Sequence, residues 1–146
     1  MKNKFKIEKA RLEDSIAISK LECACYDSSW HDYANWFWNV ASEFMWAEKA
    51  TVAGKIVGGI VAFKTQQGNL YIDTIFVHPK FRRQGIARAL VKRILNQPKK
   101  KIKKIQVAVE DHNLSSKKLF NSLGFKNRAD LPDFYDEGKD YILLEK

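Results

Sequence analysis

Leu70-Tyr71-Ile72-Asp73-Thr74-Ile75-Phe76-Val77 is apolar and β-branched enough to form a strand. Ala87, Leu90, Val91, Ile94 and Leu95 follow it at the i, i+3, i+4, i+7, i+8 spacing of an amphipathic helix. Upstream, Phe5 and Ile7 alternate with lysines as in a first strand. Arg11 to Tyr26 reads as a helix, with Glu13 and Asp14 near its positive end and Ala17, Leu21, Ala24 and Cys25 on one face. Asp27-Ser28-Ser29 breaks it, and a second helix is expected from about His31 to Ser42. Met45 to Val52, Ile56 to Lys64 and Leu70 to Val77 make a meander that turns at Ala53-Gly54-Lys55 and at Gln66-Gln67-Gly68-Asn69. Pro98 stops the helix that follows, and Ile105 to Val109 is another strand. Asn113 can cap a helix that ends with Gly124 at C′. Phe125 begins a strand and Tyr141 to Glu145 closes the sheet. No internal repeat interrupts this order, and residues 1–146 read as one domain.

The junction between the Leu70–Val77 strand and the next helix is Arg82-Arg83-Gln84-Gly85-Ile86-Ala87. A strand that passes through a short loop into a helix gathers unpaired backbone N–H groups at one spot. The helix dipole adds positive charge there, which suits a phosphate or diphosphate. Gly85 lets phosphate oxygens approach the bare backbone and tolerates a left-handed turn. The junction is not a Walker loop, since no G-K-[ST] follows, nor a dinucleotide fingerprint, since three spaced glycines are absent.

Val77-His78-Pro79-Lys80-Phe81-Arg82-Arg83-Gln84-Gly85-Ile86-Ala87 resembles the acetyl-CoA signature of the GNAT acetyltransferase superfamily, V-x-P-x-[YF]-[RQ]-x-x-G-x-[GA]. Residues 113–125, from Asn113 to Phe125, are similar to that family's N-x-x-[AS]-x-x-[LF]-[YF]-x-x-x-G-F. The two matches agree in order and spacing over roughly the C-terminal half. The resemblance implies an α/β (α+β) GNAT-type fold: a mixed, mostly antiparallel sheet of six to seven strands, splayed in the middle and flanked by four helices. It implies acetyl-CoA wedged where the Leu70–Val77 and Ile105–Val109 strands part. Backbone groups of Ile75, Phe76 and Val77 would hold the pantetheine arm. Arg82, Arg83, Gln84, Gly85, Ile86, Ala87 and Arg88 would surround the diphosphate, and Asn113 would touch the cofactor from the next helix. A backbone N–H near Val77 would stabilise the oxyanion as an amine attacks the thioester.

Two departures bear on proton transfer. Where members that acetylate protein N-termini often carry Glu or His, this chain has Ala108; where many carry an acidic tyrosine, it has Phe120. Substitutes must come from elsewhere. Tyr71 and Asp73 share one face of their strand with Ile75, so Asp73 can accept a proton directly or through a water that Tyr71 orients. Tyr135 is the best placed acid, because the family often sets aromatic acceptor-site residues where Asp133-Phe134-Tyr135 falls. Thiolate departure without an acid also stays open, since a thiol pKa near ~8.5 makes a tolerable leaving group. Weaker proton machinery favours an amine that is already partly neutral. At pH 7 an α-amine is deprotonated on the order of 10%, a lysine side chain on the order of 0.05%.

Charge sharpens the picture. The chain carries 26 basic and 17 acidic residues, net +9, and eleven of the basic ones lie between Lys80 and Lys104, where no acidic residue occurs. The rest of the chain is close to neutral, so the excess is local and suits an anionic ligand more than a nucleic-acid coat. Nothing around Lys99–Lys104 resembles a nucleic-acid module. No apolar run approaches the ~18 residues of a membrane span and no signal peptide is legible, so a soluble, cytoplasmic protein is expected. Cys23 and Cys25, two apart on a helix, point in different directions and match no zinc-site spacing, so neither a mutual disulfide nor a metal is expected. All four tryptophans fall in the stretch Trp30, Trp36, Trp38 and Trp46, which can line an acceptor wall or a homodimer contact besides filling core. The expected activity is acetyl transfer from acetyl-CoA to a primary amine, a protein N-terminus or a small molecule. Its rivals are a non-catalytic acyl-CoA-binding module and a basic nucleic-acid-interaction protein.

Overall fold

Alternation and turn chemistry set the elements. A computed structural model describes residues 4–26, 33–42, 45–97 and 101–146. In chain order it contains Phe5–Lys9 (β1), Ser15–Cys25 (α1), Tyr33–Ala41 (α2), Met45–Val52 (β2), Lys55–Lys64 (β3), Leu70–Val77 (β4) and Ile86–Leu95 (α3). Ile105–Glu110 (β5), Leu114–Ser122 (α4), Lys126–Leu131 (β6) and Tyr141–Glu145 (β7) complete it, with 3-10 turns at Leu12–Asp14 and Pro79–Phe81. The strands form one mixed seven-stranded sheet in the order β1-β2-β3-β4-β5-β7-β6. β1/β2, β2/β3, β5/β7 and β6/β7 are antiparallel. β4/β5 is parallel, as a connection through a helix allows, and its register takes in Leu70–Ile72 against Ile105–Val107. Ala53 at φ 48° and Gly54 at φ 78° give the β2–β3 hairpin the two left-handed residues of a tight primed turn.

The chain divides into two compact units, Met1–Phe63 with Thr74–Lys99 and Lys64–Asp73 with Lys100–Lys146. In the first, Ala10, Ile18, Trp36, Ala47, Val61 and Phe76 make the core, the Trp36 and Phe76 rings meeting edge-on at 6.0 Å. α3 buries Ile86, Leu90, Val91 and Ile94 and packs against β1 and β2. In the second, Leu70, Ile72, Ile105, Val107, Phe120, Phe125 and Leu144 are buried, with Phe120 and Phe125 edge-on at 5.1 Å.

The first helix needs correcting. The expected span from Arg11 begins instead with a 3-10 turn, and α1 proper starts at Ser15. Its buried face is Ser15, Ile18, Ser19 and Cys23, with Leu21 and Cys25 partly buried, while Ala17 and Ala24 are exposed. Alanine is too small to fix a helix phase; Ile18 and the groups that receive Glu22 do so. β3 begins one residue earlier than expected, β5 ends one later, and Phe125 packs in the core just ahead of β6. Pro98, Trp30, Phe44 and the start of the expected second helix lie outside the described residues, as does the side chain of Trp38.

Candidate active site

The junction between β4 and α3 belongs to the first unit. Pro79 enters its 3-10 turn beneath a His78 cap, whose Nδ1 accepts from the Lys80 amide at 3.1 Å. Arg82 then folds back, its Nε donating to the Val77 carbonyl at 2.9 Å. Arg83 at φ 62° and Gly85 at φ 86° are both left-handed, and Gly85 is the N-cap of α3. Two left-handed residues two apart, leading into the first turn of a ten-residue helix, turn successive amides toward one concavity. A Cβ built on Gly85 would meet nothing within 4 Å, so the space beside it is open.

A network not foreseen from the pattern of residues lies beside it. Glu22 on α1 accepts from the Trp36 indole N–H and, at 2.8 Å, from the Thr74 hydroxyl on β4. One turn later the Tyr26 hydroxyl donates to the Ile75 carbonyl at 2.7 Å. Tyr26 is 57% exposed as a residue, yet its hydroxyl end is tucked against β4, and that burial pushes the phenol up from its ordinary value. Burial also pushes the Cys25 thiol up, and the nearby Arg82 guanidinium opposes this. Neither Cys23 nor Cys25 is in a disulfide. A glutamate one position before buried Cys23, on a helix otherwise turning Ile18 and Ser19 inward, was the available signal for the network.

Tyr71, Asp73, Ala108 and Tyr135 belong to the second unit. Tyr71 and Tyr135 are joined by a side-chain hydrogen bond, and the Ala108 backbone also reaches the Tyr71 hydroxyl. Burial first, then Tyr135 and Asp73, push the Tyr71 phenol far up, so it keeps its proton throughout the physiological range. Burial pushes the Asp73 carboxyl up as well, although the side chain still reaches solvent, which limits the effect. Tyr135 packs edge-on against Phe134 at 4.7 Å and against Tyr141 at 5.0 Å. The loop that carries it is pinned by the Gly138 amide on Asp133 Oδ1 at 2.6 Å and the Asp133 amide on Asp140 Oδ1 at 3.1 Å. Beside Tyr141, a hollow of about 310 Å³ is edged by Asp111, Asp130 and Asp140. Asn113 caps α4, its Oδ1 accepting from the Ser116 amide at 3.1 Å. Phe120 is 1% exposed, so the position that often carries an acid is core here. Among the described residues, no three His, Cys, Asp or Glu side chains group to hold a metal ion, and no helix is long and apolar enough to cross a membrane.

An uncharacterized N-acetyltransferase of Methanocaldococcus jannaschii is 28% identical over 112 residues, 75% of this chain and 70% of that protein. The ribosomal-protein-S18-alanine N-acetyltransferase of Escherichia coli superposes with a TM-score of 0.83 at 20% identity, over 97% of this chain and 92% of that one. Naa50 of Arabidopsis thaliana, solved with the bisubstrate analogue CoA-Ac-MVNAL, superposes at 0.80 and 22% identity, over 97% of both chains. At those identities the two structures speak to the fold. The sequence itself matches the acetyltransferase (GNAT) family across residues 15–125, so the chain belongs to that family of acetyl-CoA-dependent N-acetyltransferases.

Proposed function

We propose that this enzyme acetylates an α-amine, at a peptide N-terminus or on a small molecule, with Asp73, Tyr71 and Tyr135 handling protons. The observation that carries the reading is the Tyr71–Tyr135 hydrogen bond beside Asp73, which gathers a carboxylate and two phenols where Ala108 and Phe120 supply no titratable group. Acetyl-CoA supplies a thioester whose sulfur departs as a thiolate. Asp73 takes the proton of the incoming ammonium, directly or through a water that Tyr71 orients, and its raised pKa brings it nearer the working pH. Tyr71, held protonated, acts as a donor rather than a base. Tyr135 is the hydroxyl that can return a proton to the thiolate. The left-handed turn at Arg83 and Gly85 supports binding of the donor's diphosphate.

The α-amine preference follows from the modest machinery: one solvent-accessible carboxylate suits an amine already neutral on the order of 10% at pH 7 better than a lysine neutral on the order of 0.05%. The aspartate-edged hollow beside Tyr141 supports a cationic acceptor in a chain whose net charge is +9. The relatives fit: one is named for acetylating an alanine, and another was solved with an analogue that joins CoA to a peptide. Comparing kcat/KM for peptides with free N-termini against N-terminally blocked lysine peptides tests it. Preference for the free N-terminus is expected, and preference for lysine refutes it.

A further inference from the structure

Strand parity decides which backbone groups of β4 face which way. The His78 amide donates to Val57 of β3 at 2.8 Å, and alternate residues turn their N–H and C=O to the same side. Phe76 therefore faces β3, and its carbonyl lies only 2.8 Å from where a Cβ on Gly58 would sit. Ile75 and Val77 turn both their amides and their carbonyls away from β3. Each of those carbonyls already holds a side-chain donor, the Tyr26 hydroxyl at 2.7 Å on Ile75 and Arg82 Nε at 2.9 Å on Val77. The negative ends of this edge are covered, while the amides of the same two residues are its positive ends. Beside it, Thr74 gives its one hydroxyl proton to Glu22, which also accepts from the Trp36 indole, so the β4 residue next to the capped Ile75 carbonyl is tied to α1.

We propose that Tyr26 and Arg82 are carbonyl caps that convert the Ile75–Val77 edge of β4 into a surface for negative charge, and that Tyr26 is thereby a positioning residue for acetyl transfer. The inference rests on the function proposed above. As the amine adds to the thioester, the C–N bond forms, negative charge builds on the acyl oxygen, and the C–S bond then breaks. The amine gives its proton to a base or to water, and the departing thiolate takes one from an acid or from water. Tyr26 exchanges no proton. Its hydroxyl neutralises a carbonyl that would otherwise repel the developing charge and pull the neighbouring peptide planes out of line. The acyl oxygen carries little charge before attack, so the cap acts on the transition state and hardly on donor binding.

The test measures kcat by CoA release and acetyl-CoA affinity by calorimetry in the full-length protein. For Tyr26→Phe, kcat is expected to fall about tenfold, the worth of one hydrogen bond, while the acetyl-CoA Kd stays within about twofold. Thr74→Val, which releases β4 from Glu22 one residue before the capped Ile75 carbonyl, lowers kcat in the same way, whereas Thr74→Ser keeps the hydroxyl and at least about half of the wild-type rate. A Tyr26→Phe enzyme with wild-type kcat, or a kcat loss matched by lost acetyl-CoA affinity, overturns the inference. Should Tyr26→Phe not fold, the valine–serine pair at Thr74 decides by the same split. A wild-type protein that transfers no acetyl group defeats the proposed function itself; an active wild type with unaffected variants defeats only the caps.

Discussion

Gly58 and Gly59 of β3 both lie under Phe76, and exchanging each for alanine separates backbone from side-chain crowding. A Cβ on Gly58 would stand 2.8 Å from the Phe76 carbonyl oxygen and 3.4 and 3.5 Å from Val77 Cγ2 and Cα. Those neighbours are strand backbone and a β-branched side chain, so relief requires β3 and β4 to separate by several tenths of an ångström. A Cβ on Gly59 would stand 2.8 Å from Phe76 Cζ, the far end of a ring, with the Glu48 carbonyl at an ordinary 3.6 Å. That ring can tilt. Overpacking of the first kind costs about 1–3 kcal/mol. For a chain of this size each kcal/mol moves Tm by about 2–4 °C, so Gly58→Ala is expected to melt about 2–12 °C lower. Gly59→Ala should cost less, under about 1.5 kcal/mol. Because Phe76 lies between Ile75 and Val77, the Gly58 variant should also lose kcat, about tenfold or more, since small misplacements at a reacting centre are costly. Thermal melts and CoA-release assays on both variants check this. A Gly58→Ala protein as stable and active as wild type, or a Gly59→Ala protein more damaged than it, would refute the reasoning.

Asp73→Asn should lower kcat/KM by on the order of 100-fold at neutral pH and remove the acid limb of the rate profile, which in the wild type should lie above the ordinary aspartate range because burial raises that pKa. Tyr71→Phe should lower kcat while leaving the alkaline limb in place, because the Tyr71 phenol stays protonated there. Glu48 is 4% exposed, and burial pushes its carboxyl up against the opposing pull of Arg93. Its folded pKa exceeds the unfolded one, so its contribution is present below the unfolded value of 4.5 and is lost as pH rises through the folded value. Glu48→Gln should therefore raise Tm at pH 7 and leave it nearly unchanged near pH 4, as melts at the two pH values will show. Gly85→Ala places a side chain at φ 86°, costing about 1–2 kcal/mol of left-handed strain, and should weaken CoA binding by calorimetry about tenfold or more.

The order of strands and helices was legible because β2, β4 and β7 read as apolar strands between recognisable turns, and because Gly85 and Asn113 mark the helix starts. The phase of α1 was not, since its alanines carry little burial energy and the inward face is set by Trp36 and Thr74, residues distant in the chain. The left-handed turn before α3 was legible from local chemistry: glycine, arginines and a helix start are neighbours in sequence. Tyr71 and Asp73 were legible by strand alternation, but the bond from Tyr71 to Tyr135 spans more than sixty positions and has no local signal. The carbonyl caps were hidden for the same reason, for Tyr26 reads as the end of a helix until β4 is laid beside it. Asn113 was expected to touch the cofactor, and its side-chain oxygen is engaged in capping α4.

Calorimetric titration with CoA and with pantetheine tests the donor turn most directly. Binding of CoA, and binding of pantetheine weaker by about 100-fold or more because it brings no diphosphate to the amides after Arg83, is the result this account predicts. Equal affinity for the two, or no heat from CoA, would contradict it.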